Sequence, residues 1–120
     1  MTTMAVLKLG DLSGPGESCR VPPEKRVSGN PLQTTWLQYT DASKRFLAGI
    51  WRSERGTWTI RYTEEEYCVM LEGVSVITDA AGASMTVAAG ERFIVPRGFE
   101  GTWEVVETTT KQFVIYDAPA

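Results

Sequence analysis

A tyrosine, three carboxylates and a cysteine fall within one short stretch: Tyr62, Glu64, Glu65, Glu66 and Cys68. Their types allow two kinds of chemistry. A carboxylate drawn into an apolar interior is costly unless paired or protonated, and burial raises its pKa towards the range of a general acid or base. Clustered carboxylates also suit a hard cation, which accepts oxygen ligands alone. Adjacent strand residues point to opposite faces, so at most Glu64 and Glu66 share a side. Two carboxylates without histidine make a poor metal site, and the chain has no histidine at all. Glu65 reads as a solvated side chain.

If Glu66 faces an interior, Cys68 and Met70 face it too, while Tyr67, Val69 and Leu71 pack on the other side. Farther along, Gly101, Trp103 and Val105 share one strand face. The expected pocket is therefore lined by Tyr62, Glu66, Cys68 and Trp103, with Phe99 above it. Such a mixture of aromatic walls and few polar groups is the usual make-up of a small-molecule site. Glu66 and Tyr62 are the candidate catalytic pair, the hydroxyl orienting the carboxylate or a substrate. Cys68, Phe99 and Trp103 are the candidate ligand contacts. Each has a plainer reading. Glu66 could brace the fold through Arg61, Arg97 or Tyr62, and Tyr62 and Trp103 could be core aromatics. A carboxylate beside Cys68 disfavours the thiolate, so a small buried hydrophobe is the plainer reading there.

The elements that would position these groups are strands. Thr34–Tyr39 is rich in Thr and aromatics, Asp41–Arg45 is a turn or at most a single helical turn, and Phe46–Ser53 resumes strand-like sequence. Trp58, Ile60 and Tyr62 alternate with Thr57, Thr59 and Arg61. Tyr67–Leu71 is a continuous apolar run, as for a strand buried on both faces, and Gly73 ends it. Val74–Thr78 follows, then Asp79-Ala-Ala-Gly82 supplies a hairpin turn. Met85–Val87, Arg92–Val95, Thr102–Val106 and Gln112–Tyr116 complete the set. Short strands separated by turn residues indicate an all-β sandwich or barrel. Residues 1–30 hold Gly10, Gly14, Pro15, Gly16, Pro22, Pro23 and Gly29, which forbid a long helix. They read as an extended arm with one short strand near Met4–Leu9, followed by a barrel over residues 31–120.

Two stretches carry a resemblance. Residues 56–73 and 90–103 look like the paired motifs of the cupin superfamily, and more narrowly like the small single-domain cupins of the ethanolamine-utilisation and ureidoglycine-aminohydrolase type. Gly49-Ile-Trp51, Glu66 to Gly73, Ile77-Thr-Asp79, Ala89-Gly90, Phe93 to Pro96, Gly98-Phe99, Gly101 to Glu104 and Lys111 carry it, over roughly residues 45–117. The resemblance implies a double-stranded β-helix, or jelly-roll barrel. In metal-binding cupins the ligands are usually three His and one Glu. Here Glu66 remains in the carboxylate position. The histidine positions fall at Tyr62 and Glu64, at Ile60 and Tyr62, or at Thr59 and Arg61, depending on register, and the second motif puts Gly101 and Val105 where His and Asn would stand. The turns survive and the imidazoles are gone. The ethanolamine-utilisation relatives share that loss, and acetate-kinase activity has been attributed to them, but no phosphate-cradling glycine loop between strand and helix occurs here.

A chain of 120 residues with 42% hydrophobic content fits one soluble domain. Its net charge is −3 without any basic block, which offers nothing to nucleic acid. No apolar run approaches the ~20 residues that span a bilayer, and the first ten residues make a poor signal peptide. The expected setting is cytoplasmic, with Cys19 and Cys68 as reduced thiols. The expected function is a small cupin that binds a small polar or carboxylated metabolite without a His-ligated metal or other cofactor, with acid–base chemistry through Glu66. Two rivals stand beside it: a metal-dependent enzyme of the ureidoglycine-aminohydrolase kind, and a structural or regulatory barrel filled by its own side chains. The arm suits strand exchange in a homodimer.

Overall fold

The computed structural model describes residues 4–119. Among these residues nine strands form: β1 (Glu17–Arg20), β2 (Arg26–Ser28), β3 (Leu32–Thr40), β4 (Phe46–Ser53), β5 (Gly56–Arg61), β6 (Glu65–Asp79), β7 (Ser84–Ala88), β8 (Arg92–Val95) and β9 (Glu100–Tyr116). The one helical element among the described residues is a 3-10 turn at Pro23–Lys25. The chain is all-β, as the alternating pattern predicts.

β6 and β9 are the long antiparallel pair on which everything else hangs. Residues Glu65–Asp79 run against Gly101–Tyr116. The C-terminal part of β9 pairs with β4, its N-terminal part pairs with β5, and β6 adds β8 at one end and β7 at the other. Two layers result. One is β1-β3-β4-β9-β6-β8 and the other is β2-β5-β9-β6-β7, with β6 and β9 shared between them.

The pair changes layer near Gly73. Register shifts fall between Met70 and Glu72, Glu72 and Val74, and Val74 and Ser75. Gly73 has φ of 86°, and a Cβ there would collide with the carbonyls of Glu107 and Thr108. Only glycine can take this bend at so close an approach. The expectation that Gly73 ends a strand is thus corrected: the strand bends there and continues. Likewise β9 is one strand where two were expected, because the turn-like Glu107-Thr-Thr-Thr110 follows the same bend. At the bend Ser75 and Thr109 are fully buried and share a 2.7 Å hydrogen bond, which satisfies both hydroxyls without water.

Between the layers lies a core of Val21, Trp58, Met70, Ile77, Val87, Val95, Trp103 and Val105. Tyr67 and Leu71 point outward and are exposed, so Tyr67–Leu71 is not buried on both faces as expected. Among the described residues no second layer covers the outer face of β6. Residues Met4–Gly10 form no strand, correcting the expectation of one there. The arm's strands are instead β1, paired with β3, and β2, paired with β5. β1 covers only Leu32–Thr35 of the outer edge of β3, and the Met4–Leu9 segment pairs with no strand.

Candidate functional site

The interior rows follow from register. Trp51 on β4 faces Lys111 on β9, which faces Met70 on β6. Gly49, Phe113, Cys68 and Phe93 make the next row, and Leu47, Ile115, Glu66 and Val95 the third. Gly49 is a requirement of this packing. An added Cβ would meet the Trp36 carbonyl and lie 3.0 Å from the Phe113 ring.

Between these rows is a chamber of about 260 Å³. Its walls are Trp51, Trp58, Trp103, Phe113 and Ile60, and its polar groups are Tyr62, Glu66, Lys111, Gln33 and Thr35. Glu66 and Lys111 form a buried ion pair, their side chains only 6% and 5% exposed. Lys111 Nζ donates to both carboxylate oxygens, at 3.2 Å to Oε1 and 3.1 Å to Oε2. Tyr62 Oη donates to Oε1 at 2.6 Å. The same ammonium lies 4.7 Å from the Trp51 ring centroid and 4.3 Å from that of Trp103. Two π faces and a carboxylate thus surround one cation, which offsets the large desolvation cost of burying it.

Supporting contacts hold the aromatic walls. Trp103 Nε1 donates to Ser75 Oγ at 3.1 Å, tying the ring to the bend in β6. Trp51 meets Trp103 edge-on at 5.7 Å between centroids. Tyr62 is clamped through its backbone: its N–H donates to the Phe99 carbonyl at 2.9 Å, and Gly98 N–H donates to its carbonyl at 2.7 Å. Gly98 reaches this position with φ of 92°, so the Pro96-Arg97-Gly98 turn sets where the phenol points.

Burial, then the Glu66 charge, pushes the Tyr62 hydroxyl well above its ordinary pKa of 10.0, so it stays a donor. The Cys68 thiol is pushed up to about 12, by burial first, with the Lys111 charge opposing. It is an inert thiol at neutral pH.

Tyr62, Glu66 and Trp103 therefore come together around one chamber. Cys68 and Phe99, expected as ligand contacts, do not line it. Cys68 is fully buried behind the ion pair. Phe99 packs from the far side and borders a separate groove with Ile77, Met85 and Pro96. Of the bracing partners considered for Glu66, Tyr62 is the one bound. Arg61 pairs with Glu100, and the Arg97 N–H donates to Glu65. Glu64 stays half-buried outside the chamber, its carboxyl raised by burial and by Asp117 and Glu66. Lys111, Trp51 and Trp58 had been given no role in the site. One signal was available for Lys111: it alternates in phase with Thr109, Phe113 and Ile115, which puts it on the inner face.

The donor set does not fit the metal that such barrels usually hold. Among the described residues no three His, Cys, Asp or Glu side chains come together. Both Glu66 oxygens are already engaged by Lys111, and an ammonium at that point repels a dication.

A two-layer barrel of this topology, with a chamber between the layers, defines a cupin domain. The chain belongs to the EutQ-like cupin domain family, whose match covers residues 40–113. The Clostridium difficile EutQ protein is similar over 73% of this chain and 64% of its own, at 19% identity and a TM-score of 0.65. A DUF861-family protein of unknown function from Pseudomonas syringae pv. tomato is similar over 87% of this chain and 46% of its own, at 19% identity and a TM-score of 0.74. A DUF861-family protein from Thermotoga maritima reaches 28% identity over 53% of this chain and 73% of its own, with a TM-score of 0.52. The chain thus spans under two thirds of the first two. Comparison with curated proteins finds no match.

Proposed function

We propose that this chain binds a small polar or carboxylated metabolite in the chamber beside Glu66 and Lys111, without a His-ligated metal. The observation that carries this reading is the pairing of a buried carboxylate and ammonium at the wall of an open, tryptophan-lined cavity. A ligand carboxylate gains from the Lys111 charge, and the indole faces supply apolar area around it. Acid–base chemistry would run through the same set. Glu66 accepts a proton, Tyr62 orients it, and Lys111 holds compensating positive charge. Cys68 contributes no nucleophile.

A thermal-shift panel of small carboxylic acids, amines and ureides tests this. An acid should raise the melting temperature of the wild type and lose that effect in Lys111→Met. If no compound in the panel shifts the wild type, the binding reading fails, and the remaining account is a barrel that serves only as structure.

The same reading places the protein in the cytoplasm as a homodimer. No helix among the described residues is long and apolar enough to cross a membrane. Tyr67 and Ile94 lie exposed in one outward row with Ala48 and Val114. Ala5, Leu7 and Leu9 lie against the Ala48 and Val114 end of that row. A second copy meeting this face would cover both. Light scattering at micromolar concentration should return the mass of a dimer, and a monomer would contradict it.

A further inference from the structure

The surroundings of Lys111 Nζ have the make-up of an ammonium-binding site. Glu66 meets the cation with both oxygens, at 3.1 and 3.2 Å. Trp51 and Trp103 face it at 4.7 and 4.3 Å. Carboxylate on one side and indole faces on the others is how proteins recognise cationic ligands. Every element of that recognition is rigidly held. Glu66 is fixed by Tyr62 and Trp103 by Ser75. Trp51 sits directly opposite Lys111 in the strand register. The guest, however, is part of the chain.

We propose that Glu66, Trp51 and Trp103 form a cation site whose permanent occupant is Lys111. The lysine is a tethered ligand, present at a high effective concentration that no free cation in the cell matches. Two consequences follow for the chamber. Ammonium compounds and metal dications are excluded, because their place on Glu66 is taken by a like charge. The ligand is therefore neutral or anionic, and it docks against the pair without replacing either member. The second consequence rests on the binding role proposed above; the existence of the site does not.

The test removes the tether. Lys111→Ala deletes the side chain beyond Cβ, and n-propylammonium has the length and charge of what is lost. The variant should melt below the wild type. At ~20 mM n-propylammonium its melting temperature should rise by about 3 °C or more, while 1-propanol at the same concentration leaves it unchanged and the wild type responds to neither. The double variant Glu66→Gln, Lys111→Ala should show no rescue. If the single variant does not fold alone, the readout is the yield of folded protein after refolding with each additive, and the amine should restore it selectively. Equal rescue by 1-propanol would mean simple hole filling. Rescue that persists without the Glu66 carboxylate, or no rescue in either format, overturns the proposal. So does stoichiometric Mn or Zn in wild-type protein purified without an affinity tag. None of these readouts uses the natural ligand, so an unresponsive acid panel would sink the binding function and leave the cation site standing.

Discussion

Tyr62 Oη donates a 2.6 Å hydrogen bond to Glu66 Oε1, closing the short connection between β5 and β6 from the inside. Tyr62 lies in that connection and Glu66 on β6, four positions apart, and the bond fixes the same carboxylate that the sequence-distant lysine meets. Hydrogen bonds to charged groups contribute about 1.5–3 kcal/mol. Tyr62→Phe should therefore lower stability by about 2 kcal/mol in urea unfolding while the chamber keeps its shape. A loss below ~0.5 kcal/mol would show that the bond adds little.

Glu66 and Lys111 should behave as a unit. Stranding one buried charge costs about 3–5 kcal/mol, whereas replacing both partners with apolar groups is often neutral. Lys111→Met alone should destabilise by about that amount. Glu66→Leu combined with Lys111→Met should recover most of it. The comparison is made by denaturant unfolding of all four members of the cycle, and strictly additive losses would count against a coupled pair.

Alkaline pH should weaken the fold through Cys68 and Tyr62. The Cys68 thiol moves from 9.0 unfolded to about 12 folded, and the Tyr62 hydroxyl moves well above 10.0. Below pH 9 both states hold the protons and no slope arises. Above it the unfolded chain releases protons that the folded chain keeps, so stability falls as pH rises towards the folded values. The slope is up to ~1.4 kcal/mol per pH unit for each group. Melting temperatures between pH 7 and 11 should decline from pH 9, and Cys68→Ala should delay the onset. A flat profile through pH 10.5 would contradict the burial argument.

The two thiols should differ sharply in reactivity. Cys19 is exposed and Cys68 is fully buried. Iodoacetamide at pH 8 should modify one cysteine per chain, identified as Cys19 by peptide mapping, until denaturant exposes the second. Rapid labelling of both in the native protein is the contrary result.

Gly49→Ala should be poorly tolerated despite the modest size of a methyl group. Its Cβ would press on the Trp36 backbone and the Phe113 ring. Overpacking of this kind costs about 1–3 kcal/mol. Thermal melting measures the loss, and an unchanged midpoint would mean that β3 yields more readily than its pairing suggests.

What could be read from residues alone divides by distance along the chain. The limits of β4 and β8 are legible because Gly, Pro and charged turn residues bracket them locally. The inward phase of Glu66, Cys68 and Met70 follows from simple alternation. The bend at Gly73 was misread as a stop, since a glycine in a strand pattern marks an end or a bulge equally well. Lys111 carries the family resemblance but gains no site role from the sequence, because its partner lies 45 positions earlier. Alternation with Thr109, Phe113 and Ile115 gives its face, but nothing in Thr-Thr-Thr-Lys-Gln names the carboxylate that would let a lysine be buried there. Cys68 and Phe99 were misplaced for a related reason. Alternation tells which face a side chain takes, but only the packed layers decide whether that face meets cavity or core.

β9 joins β4, β5 and β6 at once, and it follows all three in the chain. A growing chain reaches Val106 with β4 and β6 still waiting for most of their shared neighbour. Their open edges are templates for pairing with other chains. The layered barrel cannot be assembled piece by piece, because a single strand stitches both halves. Folding of this barrel therefore turns on one late, non-local event, and its vulnerable interval is the time between the collapse of β4 and β6 and the docking of β9.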